Sequence, residues 1–391
     1  VKDVGHEYFI NLLLMSLFQE VTTDDYGDIS TCKMHDLIHD LAQLVVGTEY
    51  AIFQRKKENI GNRTRYLSSR TSLHFAETSS SSYKFRTVIV LQQPLYGRKN
   101  SDQLHVHFPF LLSLKCLWVL TISGSDIITI PKSIRELKHL RYLDLSRNHF
   151  LVNLPSDVTS LHNLQTLKLS QCLKLKELPS DINKSLRHLE LNECGELTCM
   201  PCGLGQLTHL QTLTHFLLGR KNEITDISEL SGLNRLKGKL VIKLLDSLQD
   251  NVEEVESAKV LLEKKHLQEL ELQWWHDENV RETPLWWENP IAKRRMNEEE
   301  NSWLEEEKIL QELPSNHSIK SLEKESSWSK DEKILQGLQP HYVIKRLIID
   351  GYCGKSLPDW VGILPSLLSL EISNCTGLKS LPAGICNLKS V

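Results

Sequence analysis

Leu140-Arg141-Tyr142-Leu143-Asp144-Leu145-Ser146-Arg147-Asn148 decides how the rest of the chain is read. Its apolar residues fall as LxxLxL, and an asparagine closes the phrase. The same text returns as Leu164-Gln165-Thr166-Leu167-Lys168-Leu169-Ser170-Gln171-Cys172 and as Leu186-Arg187-His188-Leu189-Glu190-Leu191-Asn192-Glu193-Cys194. Leu117/Leu120/Ile122 precedes these copies and Leu210/Leu213 follows, with starts 23, 24, 22 and 24 residues apart. Further copies stand at Leu267/Leu270/Leu272, Ile344/Leu347/Ile349 and Leu367/Leu370/Ile372.

That period, closed by asparagine or cysteine, is the signature of a leucine-rich repeat. A second phrase lies between the strand segments: Ile130-Pro131, Leu154-Pro155, Leu178-Pro179 and Leu381-Pro382, each followed by Ile134, Val158, Ile182 or Ile385. There the chain turns at proline and returns along the convex side. One unit cannot enclose its own leucines, whereas stacked units make each leucine row a continuous core and each strand a rung of a parallel sheet. The expected fold class is therefore α/β, a leucine-rich-repeat solenoid with parallel strands on its concave face.

Alternation sends the leucines inward and the residues between them to the concave surface. The exposed candidates for binding a protein partner are Tyr142, Asp144 and Ser146; Thr166, Lys168 and Ser170; His188, Glu190 and Asn192; and Glu269, Glu271 and Gln273. They are polar and change from rung to rung, which suits an extended protein ligand.

With 391 residues the chain is too long for one ordinary core, which agrees with a repeat architecture. Lys plus Arg total 46 against 50 for Asp plus Glu, a net charge of -4, so bulk charge argues against nucleic acid as a partner. The apolar run Phe9–Phe18 is shorter than a bilayer span and lacks a basic flank; it reads as a buried helix, and no transmembrane segment is expected. Nine cysteines form an odd set, with Cys172, Cys194 and Cys375 at one repeated position, which fits a reducing compartment. Four Asn-x-Ser/Thr sequons, at Asn62, Asn183, Asn316 and Asn374, carry little weight at this chain length. The chain begins without methionine and stops where another repeat is starting, so both ends read as cut.

Regularity fails between about 215 and 340, where an excursion from the solenoid is expected. Trp274-Trp275 and Trp286-Trp287 flank a charged stretch, and Lys293-Arg294-Arg295 meets Glu298-Glu299-Glu300, which reads as a solvated helix face. Ser302-Trp303…Leu322 is repeated as Ser327-Trp328…Leu347 with an offset of 25 residues, a duplicated repeat.

At the amino terminus, Val4–Val21 has helical apolar spacing, a polar turn runs through Asp24, Asp25, Gly27 and Asp28, and Cys32–Ala42 reads as a second helix. Gly5-His6-Glu7-Tyr8-Phe9, Leu12-Leu13, Ser16-Leu17-Phe18-Gln19 and Met34-His35-Asp36-Leu37…His39-Asp40-Leu41-Ala42 resemble the winged-helix end of the nucleotide-binding module in plant intracellular resistance proteins of the nucleotide-binding, leucine-rich-repeat family. The Leu-Pro style of the repeats is similar to its coiled-coil branch. The resemblance implies a small α-helical winged-helix remnant at residues 1–50, a linker with irregular first repeats at 51–115, regular repeats at 116–220, irregular repeats with a charged, Trp-rich insertion at 221–340, and repeats again at 341–391.

It also implies that His35 lies near the phosphates of ADP and that Asp36 helps hold a switch closed. ADP or ATP is the cofactor of the full-length family; this chain lacks the Gly-rich phosphate loop, and Gly354-Lys355-Ser356 has Ile349 where the first glycine of that motif should stand. No cofactor is therefore expected on this chain alone. Implied partners are a pathogen effector or guarded host protein and the intramolecular nucleotide-binding domain, in the cytoplasm. His35 and His39 are four apart as in zinc proteases, yet Asp36 replaces the required glutamate; Cys199-Met200-Pro201-Cys202 is a lone CxxC. No serine nucleophile elbow occurs, so neither a metal site nor an enzyme is expected. Two rivals remain: a secreted or surface repeat protein that binds a microbial protein, and a substrate-recruiting subunit of a ubiquitin ligase.

Overall fold

The computed structural model describes residues 2–23, 29–53, 60–61, 63–70, 83–91, 108–182, 184–218, 227–245, 259–275 and 329–387. Trp286-Trp287, Lys293–Arg295, Glu298–Glu300, the first copy of the duplication and the Asp24–Asp28 turn lie outside them, as do the sequons' Asn62, Asn183 and Asn316.

The chain opens with α1 (Lys2–Leu14), the antiparallel hairpin β1 (Phe18–Thr23) and β2 (Ile29–Met34), and α2 (Asp36–Val46). The expected helical bounds Val4–Val21 and Cys32–Ala42 are corrected: the first helix ends at Leu14, Phe18–Val21 lie in β1 and Cys32–Met34 in β2. Phe9 of α1 packs on Phe18 of β1 with ring centroids 5.2 Å apart. The expectation that Phe9–Phe18 forms a buried helix is corrected: Leu14 and Met15 are 77% and 70% exposed. α1 packs on the hairpin through Phe9 and Phe18, and one contact surface cannot cover a helix apolar on several sides.

A short 3-10 turn, Gly47–Glu49, leads straight into β3 (Tyr50–Phe53). β3 begins an eight-stranded parallel sheet continued by β4 (Tyr66–Ser69), β5 (Thr87–Leu91), β6 (Val119–Ser123), β7 (Tyr142–Asp144), β8 (Thr166–Lys168), β9 (His188–Glu190) and β10 (Thr212–Leu213), each beside its predecessor. A second parallel sheet follows: β11 (His215–Leu218), β12 (Lys237–Leu245), β13 (His266–Trp275), β14 (Arg346–Asp350) and β15 (Ser369–Ser373). The solenoid's strands thus run through part of the stretch after 215 that was expected to leave it. The short helix α3 (Phe108–Ser113) precedes β6.

The two sheets are one solenoid with a slip. Leu213 and Phe216 both point inward and are buried. Strict alternation would separate them by two residues, not three, so Thr214 and His215 form a bulge toward the concave side. Thr214 stitches the break: its N–H donates to Leu189 O at 3.3 Å, its carbonyl accepts from Val241 N at 2.9 Å and its Oγ1 accepts from Leu191 N at 2.8 Å. One apolar core consequently runs from Leu67 to Leu367.

On the convex side, 3-10 turns start directly after proline, at Lys132–Glu136, Ser156–Ser160, Asp359–Ile363 and Ala383–Asn387. Proline fixes φ for the turn and lacks the N–H that a first position would leave unpaired. After β6–β9, β14 and β15 a residue takes positive φ: Gly124, Arg147, Gln171, Glu193, Gly351 and Asn374. The chain leaves the sheet there, and the next residue turns back into the core.

Candidate protein-binding face

The residue after each left-handed position fixes the rungs to one another. Asn148 is buried; its Nδ2 donates to Leu145 O at 2.7 Å and to Ile122 O on the previous rung at 2.8 Å, while its Oδ1 accepts from Ser125 N at 3.1 Å and Ile127 N at 3.2 Å. All four backbone groups would otherwise be unpaired at a turn away from water. Cys172 Sγ donates to Leu145 O at 3.3 Å and Cys194 Sγ to Leu169 O at 3.2 Å, and burial pushes the Cys172 thiol up to about 12 and that of Cys194 to about 11. Cys375 reaches the previous rung at Ile349 O, 3.7 Å away, and also donates within its own turn to Ser373 O at 3.1 Å. These cysteines act as compact donors and remain protonated.

This scaffold presents two parallel rows on the concave face, with a third at the strand starts. The middle row reads Tyr66, Thr87, Val119, Tyr142, Thr166, His188, Thr212, and the row beyond it reads Ser68, Ile89, Thr121, Asp144, Lys168, Glu190. Asp144 accepts from Ser146 N at 2.9 Å, and burial together with the Asp144 carboxylate raises the pKa of the Tyr142 phenol. Lys168 and Glu190 pair across neighbouring rungs at 2.9 Å, their side chains 30% and 26% exposed. Ser146, Thr166 and Ser170 are half-buried and Asn192 is exposed, so these residues share one accessible surface.

Two expected surface residues are corrected. His188 is 7% exposed and Glu269 4%. Rungs of a parallel sheet are only about 4.8 Å apart, so a mid-strand side chain is covered by its neighbours on both sides. His188 lies between Thr166 and Thr212 and its Nδ1 is 3.0 Å from Thr212 Oγ1; Glu269 lies between Lys239 and Arg346 and meets Lys239 Nζ at 2.8 Å. Glu271 takes the same ammonium at 2.8 Å and accepts from Gln273 Nε2 at 2.5 Å.

The reading of the sequence did not include the row at the start of each strand: Arg65, Arg86, Trp118, Arg141, Gln165, Arg187, Gln211, each the residue before a registered strand position. It is legible as the first of the two residues inside LxxL. Strand alternation alone assigns it to neither face.

At the amino-terminal end, His35 stands between β2 and α2 with φ -61° and ψ 139°, and its Nδ1 accepts from Leu37 N at 3.2 Å as the helix cap. That bond makes Nε2 the protonated nitrogen. Asp36 opens the first turn, where the helix dipole favours a carboxylate. At this end of the chain His35 Nε2–H is a side-chain donor, and Lys33 on the neighbouring strand is ion-paired with Glu20. This fits one contact in a larger site. Among the described residues no group of three His, Cys, Asp or Glu is placed to hold a metal, and no helix is long and apolar enough to cross a membrane. Cys199 is half-buried and Cys202 exposed.

Three family models match the chain: a leucine-rich repeat region over residues 99–306, R13L1/DRL21 leucine-rich repeats over 292–391, and a disease resistance protein winged helix domain over 1–42. The chain is 33% identical over 386 residues to disease resistance protein RGA1 of Solanum bulbocastanum, covering 98% of this chain and 31% of that protein. It is 33% identical over 266 residues to disease resistance RPP13-like protein 4 of Arabidopsis thaliana, with 65% and 30% covered. A further Arabidopsis thaliana relative, disease resistance RPP13-like protein 1, is 32% identical over 390 residues, with 97% and 34% covered. The chain spans about a third of the length of these relatives.

Proposed function

The chain belongs to the leucine-rich-repeat disease resistance proteins of plants, and from that premise we propose that its concave face recognises a protein, a pathogen effector or a guarded host protein. Its amino-terminal end belongs to a nucleotide switch that the solenoid restrains.

The observation that carries this reading is the row Asp144, Lys168, Glu190 beside Tyr142 and Thr166, a polar, rung-by-rung varied surface on a rigid sheet. Rigid backbones lose little entropy on binding, so such a surface can convert its contacts into affinity. The direct run from α2 through Gly47–Glu49 into β3 supports the coupling of switch and solenoid: three residues separate the helix from the first rung. His35, capping α2, would report the state of a phosphate to that same helix. Two core cysteines serving as protonated donors suit a compartment that keeps thiols reduced, which supports a cytoplasmic site of action.

The test is the full-length protein carrying Asp144→Ala, Lys168→Ala and Glu190→Ala, expressed in leaf cells with candidate effectors. The expected result is a lost cell-death response at unchanged protein level, while Lys132→Ala on the convex side retains it. A response equal to the unaltered protein's in the triple variant would refute the assignment.

A further inference from the structure

The bulge at Thr214–His215 turns His215 toward the concave side at the seam between the two sheets. Pairing of β11 with β12 sets His215 beside Val241, so Lys239 and Lys243, two residues to either side of Val241, flank the imidazole from the next rung. Each lies about 8 Å from His215 at Cα, given the rung spacing and the rise of a strand. The two lysines have opposite surroundings. Lys239 Nζ meets Glu269 and Glu271, each at 2.8 Å. Lys243 has Leu217 and Gln273 as its neighbours in register, both uncharged, and among the described residues no carboxylate is ion-paired with it. The acids on the rungs around it are engaged: Glu271 with Lys239 and Gln273, Asp350 with Ser373 Oγ at 2.7 Å and Asn374 Nδ2 at 2.8 Å, and Glu190 with Lys168. His215 Nδ1 is likewise buried without a hydrogen-bond partner.

An ammonium shielded from water is costly unless it is paired. Burial lowers the pKa of Lys243, against smaller opposite pulls from Cys194 and Glu271. At Lys239 burial acts in the same direction, but Glu269 and Glu271 outweigh it and the pKa rises. The surface beside Lys243 is apolar: Leu217 and Val241 lie on the concave side, each 4% exposed. One unneutralised cation and one imidazole with an unfilled nitrogen therefore stand over an apolar floor. A carboxylate fills both, since one oxygen accepts from Lys243 Nζ and the other from the N–H of neutral His215.

We propose that Lys243 and His215 form a seat for one acidic side chain, an aspartate or a glutamate, of the protein that the concave face recognises. Charge complementarity commits the occupant to an anion, and Lys239, held by two carboxylates from the same sheet, shows which anion this surface accommodates. The proposal rests on the reading of the solenoid as a protein binder and names a specificity determinant within it. A ligand with a neutral or basic residue at that place covers the ammonium without pairing it and is disfavoured.

The test uses this chain in full with a displayed library of random dodecapeptides, selected on the unaltered chain and counter-selected on Lys243→Gln. Peptides that bind the first and not the second are expected to carry Asp or Glu at one fixed position. For such a peptide, Lys243→Gln and the amide in place of its acid should each weaken binding about tenfold or more, and the two together no further than either alone, as a direct charge pair requires. His215→Ala should weaken it less, since a hydrogen bond from a neutral group is lost. Unfolding in denaturant gives a reading independent of any ligand: Lys243→Gln should hold or raise the midpoint, whereas Lys239→Gln, which strands two carboxylates, should lower it. Selected peptides without a fixed acid, additive losses in the cycle, or a midpoint lowered by Lys243→Gln as much as by Lys239→Gln each overturn the proposal. Inorganic polyphosphate that displaces the peptide, binds tighter than it and is lost in Lys243→Gln overturns the carboxylate occupant in favour of a phosphate. An acid coupled to Lys243 while the Asp144/Lys168/Glu190 variant keeps its leaf response upholds the seat and removes the reading of that row alone. A leaf response lost in that variant with no acid selected at Lys243 removes the seat and keeps the row.

Discussion

Asn148 closes four backbone hydrogen bonds from one side chain, two to carbonyls and two from N–H groups. Asn148→Ala leaves these groups buried without partners, at about 1–3 kcal/mol each where water cannot reach; the expected loss is at least about 3 kcal/mol in denaturant unfolding. Cys172→Ala, which removes a single weak donor, should cost clearly less. His215 gives a pH dependence. Burial, then Lys243, then Lys239 lower its pKa from 6.5 to about 4. The folded chain therefore keeps the imidazole neutral where the unfolded chain takes up a proton. Stability is full above pH 6.5, falls as pH drops toward 4 and falls no further on this account below that. The total is about 3 kcal/mol. Between pH 7 and 4, His215→Gln should lose less stability than the unaltered chain; parallel curves would place the acid sensitivity elsewhere.

At the scale of the strand, the leucine rows carry the stability and the rows between them the chemistry. Leu167 is 1% exposed at the centre of β8, and Leu167→Ala should cost about 2–5 kcal/mol in chemical unfolding; Thr166→Ala beside it, half-buried on the concave row, should stay within about 1 kcal/mol. Strands β6–β9 were legible because leucine, or Ile122 in β6, fills the inward positions and returns at a near-constant period. β3–β5 were not, because their inward residues are Ala51 and Phe53, Leu67 and Ser69, Val88 and Val90. Alternation survives there without the leucine text. The bulge at Thr214–His215 was hidden as well, since the phase of a strand shows only against its neighbour. The burial of His188 and Glu269 escaped for a related reason: periodicity assigns a face, while coverage depends on the size and charge of the side chains one rung away.

For the whole molecule, the winged-helix end and the solenoid are read from different signals. The amino-terminal segment is legible from its Gly5–Phe9 and Met34-His35-Asp36 text, and the structure adds the β1–β2 hairpin and the role of His35 as the cap of α2. A nucleotide role for His35 depends on partners that sequence spacing within this chain does not place near it. The solenoid is different, since its stacked rungs produce both core and surface at once. Recognition on its concave face is the central claim. The most direct measurement is hydrogen–deuterium exchange on the full-length protein with and without the effector that triggers its response. The account expects slowed exchange in residues 142–146, 166–170 and 188–192 and unchanged exchange in the convex turns at 132–136 and 156–160. Protection confined to the convex turns, or none anywhere in the solenoid, would contradict it.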